Sequence, residues 1–283
     1  MQYTKISGFS DEIDSMIDVQ FEVLNKLGIN YFEPRGVDGK NISELEDDEV
    51  LALKSKMEQY GIKASSIGSP IGKIKISDDF EPHFETYKRV VKIAKMLDTK
   101  YIRMFSFFAE GDGEWTQMQR QEVFSRIEKM IEYARENDVI LLHENEKEIY
   151  GDTVERCLDL MKNFYCKNFR AVFDPANFVQ CGQDTKKGYD LLKDYVEYMH
   201  IKDAKLISGE VVPSGYGDGN LKYILSELFK GGYDGFLSLE PHLGSFEGLA
   251  KLELSDEMSK LPKSGEGTFT VAFNALNKIL ENI

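Results

Sequence analysis

The chain alternates short β-type segments with amphipathic helical segments from one end to the other. Within 121–135, for example, apolar residues recur at the spacing of one helical face. Eight strands that are each followed by a helix form the (β/α)8 pattern, and no change in composition marks a domain boundary. We therefore predict an α/β fold, a (β/α)8 TIM barrel with residues 1–283 in a single domain. The predicted strands are 3–9, 30–35, 63–69, 101–107, 139–145, 169–175, 196–203 and 235–241.

An open doubly wound sheet could hold the same number of β–α units. Such sheets usually have a glycine-rich turn after the first strand, and the sequence there, GFSDEID, is not such a turn. The barrel is therefore the better interpretation. Its first two helices should end near Gly28 and Gly61, which suit C-terminal caps, and Asp47 and Asp152 are candidate N-caps.

Composition limits the classes of function. The 283 residues are 42% hydrophobic, enough for a large core, and carry a net charge of −14. That charge argues against binding to a nucleic acid backbone or an anionic membrane surface, since both attract clustered Lys and Arg. The N-terminal segment lacks the apolar stretch of a signal peptide, and the three cysteines have no metal-binding spacing. We therefore expect a cytoplasmic protein with neither a nucleic acid nor a membrane partner.

Four successive strands are predicted to end in side chains that can bind a metal ion. They end in Glu144, Asp174, His200 and Glu240. Consecutive strands are neighbours in a barrel, so these side chains should meet above the core, at the end where barrel active sites lie. Three carboxylates and one imidazole suit one divalent ion, Mn, Mg, Co or Zn. Each residue alone could instead cap a helix or make a buried hydrogen bond, but four in succession favour a metal site.

Two of the predicted connections after strands are long. Residues 204–220 follow strand seven and residues 243–266 follow strand eight. Both would lie at the active-site end of a barrel, where a long loop can act as a lid, a substrate wall or a subunit contact. A tolerated surface insertion explains either loop equally well, and the sequence is compatible with a homo-oligomer.

The chain resembles the xylose-isomerase-like superfamily of sugar and sugar phosphate isomerases and epimerases, which are metal-dependent TIM barrels. The segments that carry the resemblance are LLHENE with Glu144, VFDPANF with Asp174, YMHIKD with His200 and FLSLEPH with Glu240. The resemblance extends over essentially the whole chain and implies one divalent ion and a small carbohydrate substrate. It does not specify the substrate, because dehydratases and inactive relatives share the barrel and its metal cluster.

The ligand types and the resemblance together predict a chemistry. A ketose or hydroxyaldehyde can chelate a divalent ion, which stabilises the enediolate that forms when the α-proton leaves. Glu144 and Glu240, on strands five and eight, would face opposite sides of the substrate, so that one removes the proton and the other returns it. Return of a proton to the opposite face of the same carbon gives epimerisation, whereas return of the proton to the neighbouring carbon gives isomerisation.

Five further residues are candidates for substrate binding: Glu146, Asn177, Lys202, Arg35 and Trp115. Glu146 could instead cap a helix, and Trp115 could anchor a turn. Many epimerases of the superfamily have a His where this chain has Asn177. An Asn can hydrogen-bond a substrate hydroxyl but cannot change its protonation state.

The charged candidates also have structural interpretations. Lys202 could pair with the adjacent Asp203, and Arg35 could pair with Glu33 at the barrel mouth. His83 falls inside a predicted helix and is interpreted as a surface residue.

Other functions have to be distinguished from an isomerase. A retaining glycosidase usually carries its two carboxylates on strands four and seven, whereas the count here gives strands five and eight. An abasic-site endonuclease needs a histidine-rich metal cluster, and the chain has 4 His. A dehydratase of a keto-polyol, acting through the same enediolate, and a catalytically silent sugar-binding barrel remain the alternatives.

Overall fold

The structure, a computed structural model, describes residues 5–111, 114–243 and 264–283. Within these ranges eight strands form the wall of a (β/α)8 barrel, which confirms the predicted fold class. Each strand lies inside one of the eight predicted segments. The strands are β1 (Lys5–Gly8), β2 (Tyr31–Phe32), β3 (Lys63–Ala64), β4 (Tyr101–Met104), β5 (Ile140–Glu144), β6 (Phe169–Phe173), β7 (Val196–Ile201) and β8 (Phe236–Leu239).

Hydrogen bonds between neighbouring strands close the wall into a ring. Six strands pair in parallel in the order β1–β8–β7–β6–β5–β4, and β2 pairs in parallel with β3. The backbone N–H of Glu33 donates to the carbonyl oxygen of Gly8 at 2.9 Å, which joins β2 to β1. Ile67, just beyond β3, pairs with Ile102 of β4 and completes the ring. The C-terminal ends of the strands therefore surround one end of the barrel.

Nine α-helices lie within the described ranges, and their apolar faces pack into the buried core around the barrel. They are α1 (Ile17–Lys26), α2 (Asp47–Tyr60), α3 (Phe80–Met96), α4 (Gln117–Glu136), α5 (Val154–Phe164), α6 (Pro175–Gln180), α7 (Thr185–Leu192), α8 (Leu221–Lys230) and α9 (Gly265–Leu280). Gly28 and Gly61 follow α1 and α2 with φ of +72° and +69°, as expected for C-terminal caps.

The two predicted N-caps are each wrong by one residue. Glu46, not Asp47, is the N-cap of α2, because its side chain and that of Glu49 form a reciprocal capping box. Thr153, not Asp152, is the N-cap of α5 and accepts a hydrogen bond from the backbone of Arg156.

The connection 204–220 begins with a short antiparallel pair, in which Asp203–Ala204 pair with Val211–Val212. In the second long connection, 243–266, residues 244–263 lie outside the described residues. Among the helices of the described ranges, none has both the length and the apolar character that crossing a membrane requires.

Candidate active site

The C-terminal end of the barrel brings the four candidate metal-binding side chains together. One ligand atom from each of Glu144, Asp174, His200 and Glu240 lies within 4.8 Å of the others. All four residues are buried, with exposed fractions between 0% and 3%. The His200 atom that faces the carboxylates is Nδ1, which lies 3.0 Å from Glu144, 3.6 Å from Glu240 and 4.0 Å from Asp174.

The start of the short helix α6 holds Asp174 in place. Asp174 is the N-cap residue, and its Oδ1 accepts a hydrogen bond from the backbone N–H of Asn177 at 2.9 Å. Asn145 joins the ends of β5 and β6, because its side chain donates to the carbonyl of Asp174 and accepts from its N–H, both at 2.9 Å. With Oδ1 occupied by the cap, Oδ2 of Asp174 is the oxygen that faces the cluster.

Asn177, a candidate substrate contact, lies beside Glu144. Its Nδ2 donates to Oε1 of Glu144 at 3.2 Å and to the carbonyl oxygen of Asn145 at 2.9 Å. These two bonds use both hydrogens of the amide. The structure therefore gives Asn177 a part in orienting Glu144, and its contact with a substrate stays a prediction.

Two buried cationic side chains balance the carboxylates. The Nζ of Lys202 lies 2.7 Å from Oε2 of Glu240 and 3.0 Å from Oδ2 of Asp174. Arg103, on β4, lies 3.2 Å from Glu144 and 3.7 Å from Glu240. Lys202 and Arg103 are 3% and 5% exposed, so water screens these interactions little.

These contacts set the protonation of the cluster. Burial alone would raise the pKa of Glu144, but His200 and Arg103 outweigh it and lower that pKa to about 2. At Asp174 burial prevails over the attraction of Lys202 and raises the pKa to about 7. Burial alone would lower the pKa of His200, but Glu144 raises it well above its usual value. A divalent cation bound by these side chains would supply the same positive charge and displace the proton from Nδ1.

At the mouth of the barrel, Arg35 is surrounded by several further charged side chains. Its guanidinium contacts Asp11 at 2.8 and 3.1 Å, and it lies 3.4 Å from both Glu12 and Glu240. His242 lies 3.4 Å from the same two glutamates. Burial raises the pKa of Glu12 to about 7, although Arg35 opposes this shift. Arg35 and His242 therefore act on Glu240 from the solvent side.

Two salt bridges considered from the sequence are wrong. Arg35 does not pair with Glu33, because the Glu33 side chain turns into the barrel and is 1% exposed. Lys202 does not pair with Asp203, because the carboxylate of Asp203 accepts hydrogen bonds from backbone N–H groups of 204–220.

The other two candidate substrate contacts, Glu146 and Trp115, are not part of the cluster. Oε2 of Glu146 is 3.4 Å from Nζ of Lys73, in a partly exposed pair. The ring of Trp115 packs edge-to-face on Tyr150, with ring centroids 5.1 Å apart. The structure thus gives Trp115 an anchoring contact, and the substrate contacts of both residues stay predictions.

Sequence reasoning missed Arg103, Asp11 and Glu12. Arg103 interrupts an otherwise apolar strand, YIRMFSF, and a charged residue in such a strand is a usable signal of a buried charge partner. Asp11 and Glu12 belong to GFSDEID, a segment in which neither carboxylate was predicted to have a role at the site.

The donor set fits a divalent cation. Three carboxylates and one imidazole nitrogen converge from four strand ends, and such oxygen-rich sets with one nitrogen suit Mg, Mn, Co or Zn. Oδ2 of Asp174 is buried and accepts no hydrogen bond from the described residues, and its charged neighbour is Nζ of Lys202 at 3.0 Å, so the oxygen stands where a positive charge is favourable.

Comparison with known proteins agrees with the barrel fold. Residues 21–260 match the family described as xylose isomerase-like TIM barrel. A 3-dehydroshikimate dehydratase of Bacillus anthracis is 25% identical over 130 residues, which span 46% of this chain and 46% of that enzyme, less than half of its length.

Two solved structures share the fold over nearly their whole length. A xylose isomerase-like TIM barrel protein from Mycobacterium smegmatis, in complex with magnesium, is 16% identical with a TM-score of 0.70, and the match covers 99% of this chain and 97% of that one. The 3-keto-D-glucoside 4-epimerase of E. coli is 13% identical with a TM-score of 0.69, over 98% of this chain and 99% of that one. By its match over most of its length, the chain belongs to the xylose isomerase-like TIM barrel family.

Proposed function

We propose that the protein is a divalent-metal-dependent isomerase or epimerase of a sugar, a keto-sugar or a sugar phosphate. The observation that carries this proposal is the convergence of Glu144, Asp174, His200 and Glu240 at the active-site end of the barrel. Family membership and the epimerase among its structural neighbours support the reaction class, and the neighbour with bound magnesium supports the metal.

The three carboxylates and Nδ1 of His200 would hold one ion of Mn, Mg, Co or Zn. When bound, the ion would act as a Lewis acid that polarises a substrate carbonyl and makes the adjacent C–H more acidic.

Glu144 and Glu240 are the proposed proton-transfer residues. They reach the cluster from β5 and β8, so that one, as the carboxylate, would remove the α-proton, and the other, after taking up a proton from solvent, would deliver that proton to the substrate carbon. Arg103 contacts both of them, at 3.2 and 3.7 Å, and favours the ionised form that accepts a proton. In this proposal Lys202 would donate a hydrogen bond to a substrate oxygen on which negative charge develops.

A dehydratase of a keto-polyol is the second candidate, favoured by the relative that carries this activity. The first step would be the same removal of an α-proton by a carboxylate. The electron pair left on carbon then forms a double bond and expels the hydroxyl of the next carbon, which leaves as water after a neighbouring acid such as Lys202 protonates it.

Incubation of the metal-loaded protein in D2O with ketoses, keto-glucosides, sugar phosphates and 3-dehydroshikimate separates the candidates. An isomerase or epimerase incorporates deuterium next to the carbonyl and yields the isomeric sugar. Loss of water from one compound would establish the dehydratase instead. A bound ion without exchange or turnover of any compound would contradict both and indicate a silent binding barrel. The double variant Glu144→Gln, Glu240→Gln is the control for exchange that does not depend on the site.

A further inference from the structure

A buried carboxylate lies behind His200, on the side away from the cluster. Glu33, just beyond β2, is 1% exposed, and its Oε2 lies 3.4 Å from Nε2 of His200. The other ring nitrogen of His200, Nδ1, faces the candidate metal ligands, at 3.0 Å from Glu144. The imidazole therefore stands between Glu33 and the cluster, with one nitrogen toward each.

Hydroxyl groups of two neighbouring strands hold the Glu33 carboxylate in this place. Oε2 accepts hydrogen bonds from the hydroxyl of Tyr198 at 3.0 Å and from the hydroxyl of Ser238 at 2.7 Å. The Tyr198 hydroxyl also hydrogen-bonds Ser65 at 2.8 Å. Both donors to Glu33 are fully buried, so the carboxylate has a fixed orientation in a dry environment.

Two buried polar atoms on the facing side chains have no hydrogen-bond partner within the described part of the chain. They are Nε2 of His200 and Oε1 of Glu33. A buried donor or acceptor left unpaired is unfavourable, so neighbouring unpaired atoms of opposite type should bond when small movements allow it. The contact that the structure shows is between Nε2 and Oε2, at 3.4 Å. Oε2 already accepts two hydrogen bonds and Oε1 accepts none among the described residues, so a small movement of the carboxylate would bring an acceptor within reach of Nε2.

We infer that Glu33 is a positioning residue for the metal centre: it accepts the Nε2–H of His200 and so presents the Nδ1 lone pair to the cation. A neutral imidazole carries one proton, and a carboxylate acceptor on the Nε2 side keeps the proton there. A hydrogen-bonded carboxylate of this kind also makes the imidazole a stronger ligand, an effect worth about 10–100-fold in metal affinity. The inference rests on the metal site of the proposed function.

The variant Glu33→Gln tests the inference. Glutamine keeps the size of the side chain but has one acceptor oxygen, and its NH2 group would face Nε2 and favour the proton on Nδ1, where it blocks the cation. We expect zinc affinity, measured by competition with a chromophoric chelator, to fall about 10–100-fold. Glu197→Gln is the matched control, because Glu197 is a half-buried carboxylate that also accepts a hydrogen bond from a tyrosine, Tyr101, and is not part of the cluster. Its affinity should stay close to that of the wild type.

A second measurement needs no variant. In the zinc-loaded wild type labelled with 15N-histidine, NMR should show His200 protonated on Nε2 and coordinated through Nδ1. Protonation on Nδ1, unchanged affinity in Glu33→Gln, or an equal loss in Glu197→Gln would each overturn the role of Glu33. A wild-type protein that binds no divalent ion would instead refute the proposed metal site itself.

Discussion

Charge balance at the candidate active site depends on individual buried side chains. Glu144, Asp174 and Glu240 are each at most 3% exposed, and a buried carboxylate without a partner is strongly unfavourable. Lys202 and Arg103 contact these carboxylates directly and offset that cost. Loss of one such partner leaves an uncompensated buried charge, whereas loss of a surface partner leaves a charge that water solvates.

We expect Arg103→Met to lower the free energy of unfolding by about 3–5 kcal/mol, the range for breaking a buried ion pair. Urea unfolding of chelator-treated protein would measure it. Lys167→Met is the control, because Lys167 pairs with Asp138 at 2.8 Å while both side chains are largely exposed, at 76% and 82%. There we expect little or no change in stability, because water screens the pair. Losses of equal size in both variants would contradict the role given to Arg103.

The proton-transfer roles of Glu144 and Glu240 can be separated from metal binding. Replacing either by Gln keeps an oxygen that can bind the ion but removes the carboxylate that carries the proton. Metal affinity, measured by titration, should fall modestly, whereas turnover should fall about 10²–10⁴-fold. Glu155→Gln is the comparison, since Glu155 is an exposed residue that pairs with Lys187 at 3.3 Å and lies outside the cluster. If both variants keep near-normal turnover while binding metal, the two glutamates are ligands only.

The sequence predicts the cluster residues because each follows an apolar strand segment, a property that is visible within a few neighbouring residues. Arg103 differs, because its contact with Glu144 joins residues 41 positions apart across two strands. Nothing local shows where its guanidinium points. Glu33 was likewise paired with Arg35, two residues away, because the hydroxyl groups that turn it inward belong to β7 and β8.

The connection 204–220 is held in place by one carboxylate, that of Asp203, which directly precedes it. Asp203 accepts hydrogen bonds at 2.8–3.0 Å from four backbone N–H groups, those of Ala204, Gly215, Gly217 and Gly219. A Cβ atom at Gly217 would lie 2.1 Å from Oδ1 of Asp203, so a side chain there would displace the carboxylate. Among the functions considered for this loop, the anchor favours a fixed wall over a hinged lid.

Asp203→Asn should therefore loosen the loop. The amide has one acceptor oxygen, and its NH2 group would face backbone donors. We expect a loss of about 1–3 kcal/mol in stability and faster hydrogen exchange in 204–220. Asp218→Asn is the control in the same loop, because Asp218 is exposed and accepts one bond, from the N–H of Leu206 at 2.7 Å. Unchanged exchange in Asp203→Asn would mean that other contacts hold the loop.

The segment around Lys73 is tied to α3 by a histidine. Nε2 of His83 accepts a hydrogen bond from the backbone N–H of Gly72 at 2.8 Å, so His83 is half-buried and not the surface residue inferred from the sequence. Burial lowers the pKa of His83 to about 4. In the unfolded chain the pKa of this histidine is about 6.5. The contribution of neutral His83 to the stability of the fold is therefore complete above about pH 6.5 and is lost as the pH falls toward 4.

We therefore expect the wild type to lose more stability than His83→Gln between about pH 7 and about pH 5. Glutamine can accept the same backbone hydrogen bond but does not titrate in this range. Denaturant unfolding at both pH values would measure the difference, and hydrogen exchange should show that residues 70–75 open first. Parallel stability curves for the two proteins would contradict a neutral His83 in the fold.

At the scale of the molecule, the barrel is predictable because its signal is local and repeated: eight apolar segments at regular intervals. The ends of each strand and helix are less predictable. The N-caps at Glu46 and Thr153 show this, because each is next to another polar residue that could also cap the helix. The contacts that depend on ring closure are not predictable from local sequence. Arg35 contacts Asp11 and Glu240, residues that meet only because the first and last strands pair.

Ring closure also means that metal binding should stabilise the whole barrel, since the four candidate ligands come from β5 to β8 and β8 pairs with β1. An ion that binds the folded chain but not the unfolded one adds about 2.7 kcal/mol at 100 times its Kd. For a domain of this size, that corresponds to a rise in melting temperature of roughly 5–10 °C. Differential scanning calorimetry with Mn²⁺ or with a chelator would measure it.

His200→Ala provides the decisive comparison for this last prediction. Without the imidazole, the remaining carboxylates would hold the ion weakly, so the melting temperature of the variant should respond little to Mn²⁺. The chelated wild type should nevertheless stay folded, because Lys202 and Arg103 already neutralise part of the buried negative charge. An equal rise in the wild type and in His200→Ala would mean that the stabilising ion binds elsewhere on this acidic chain.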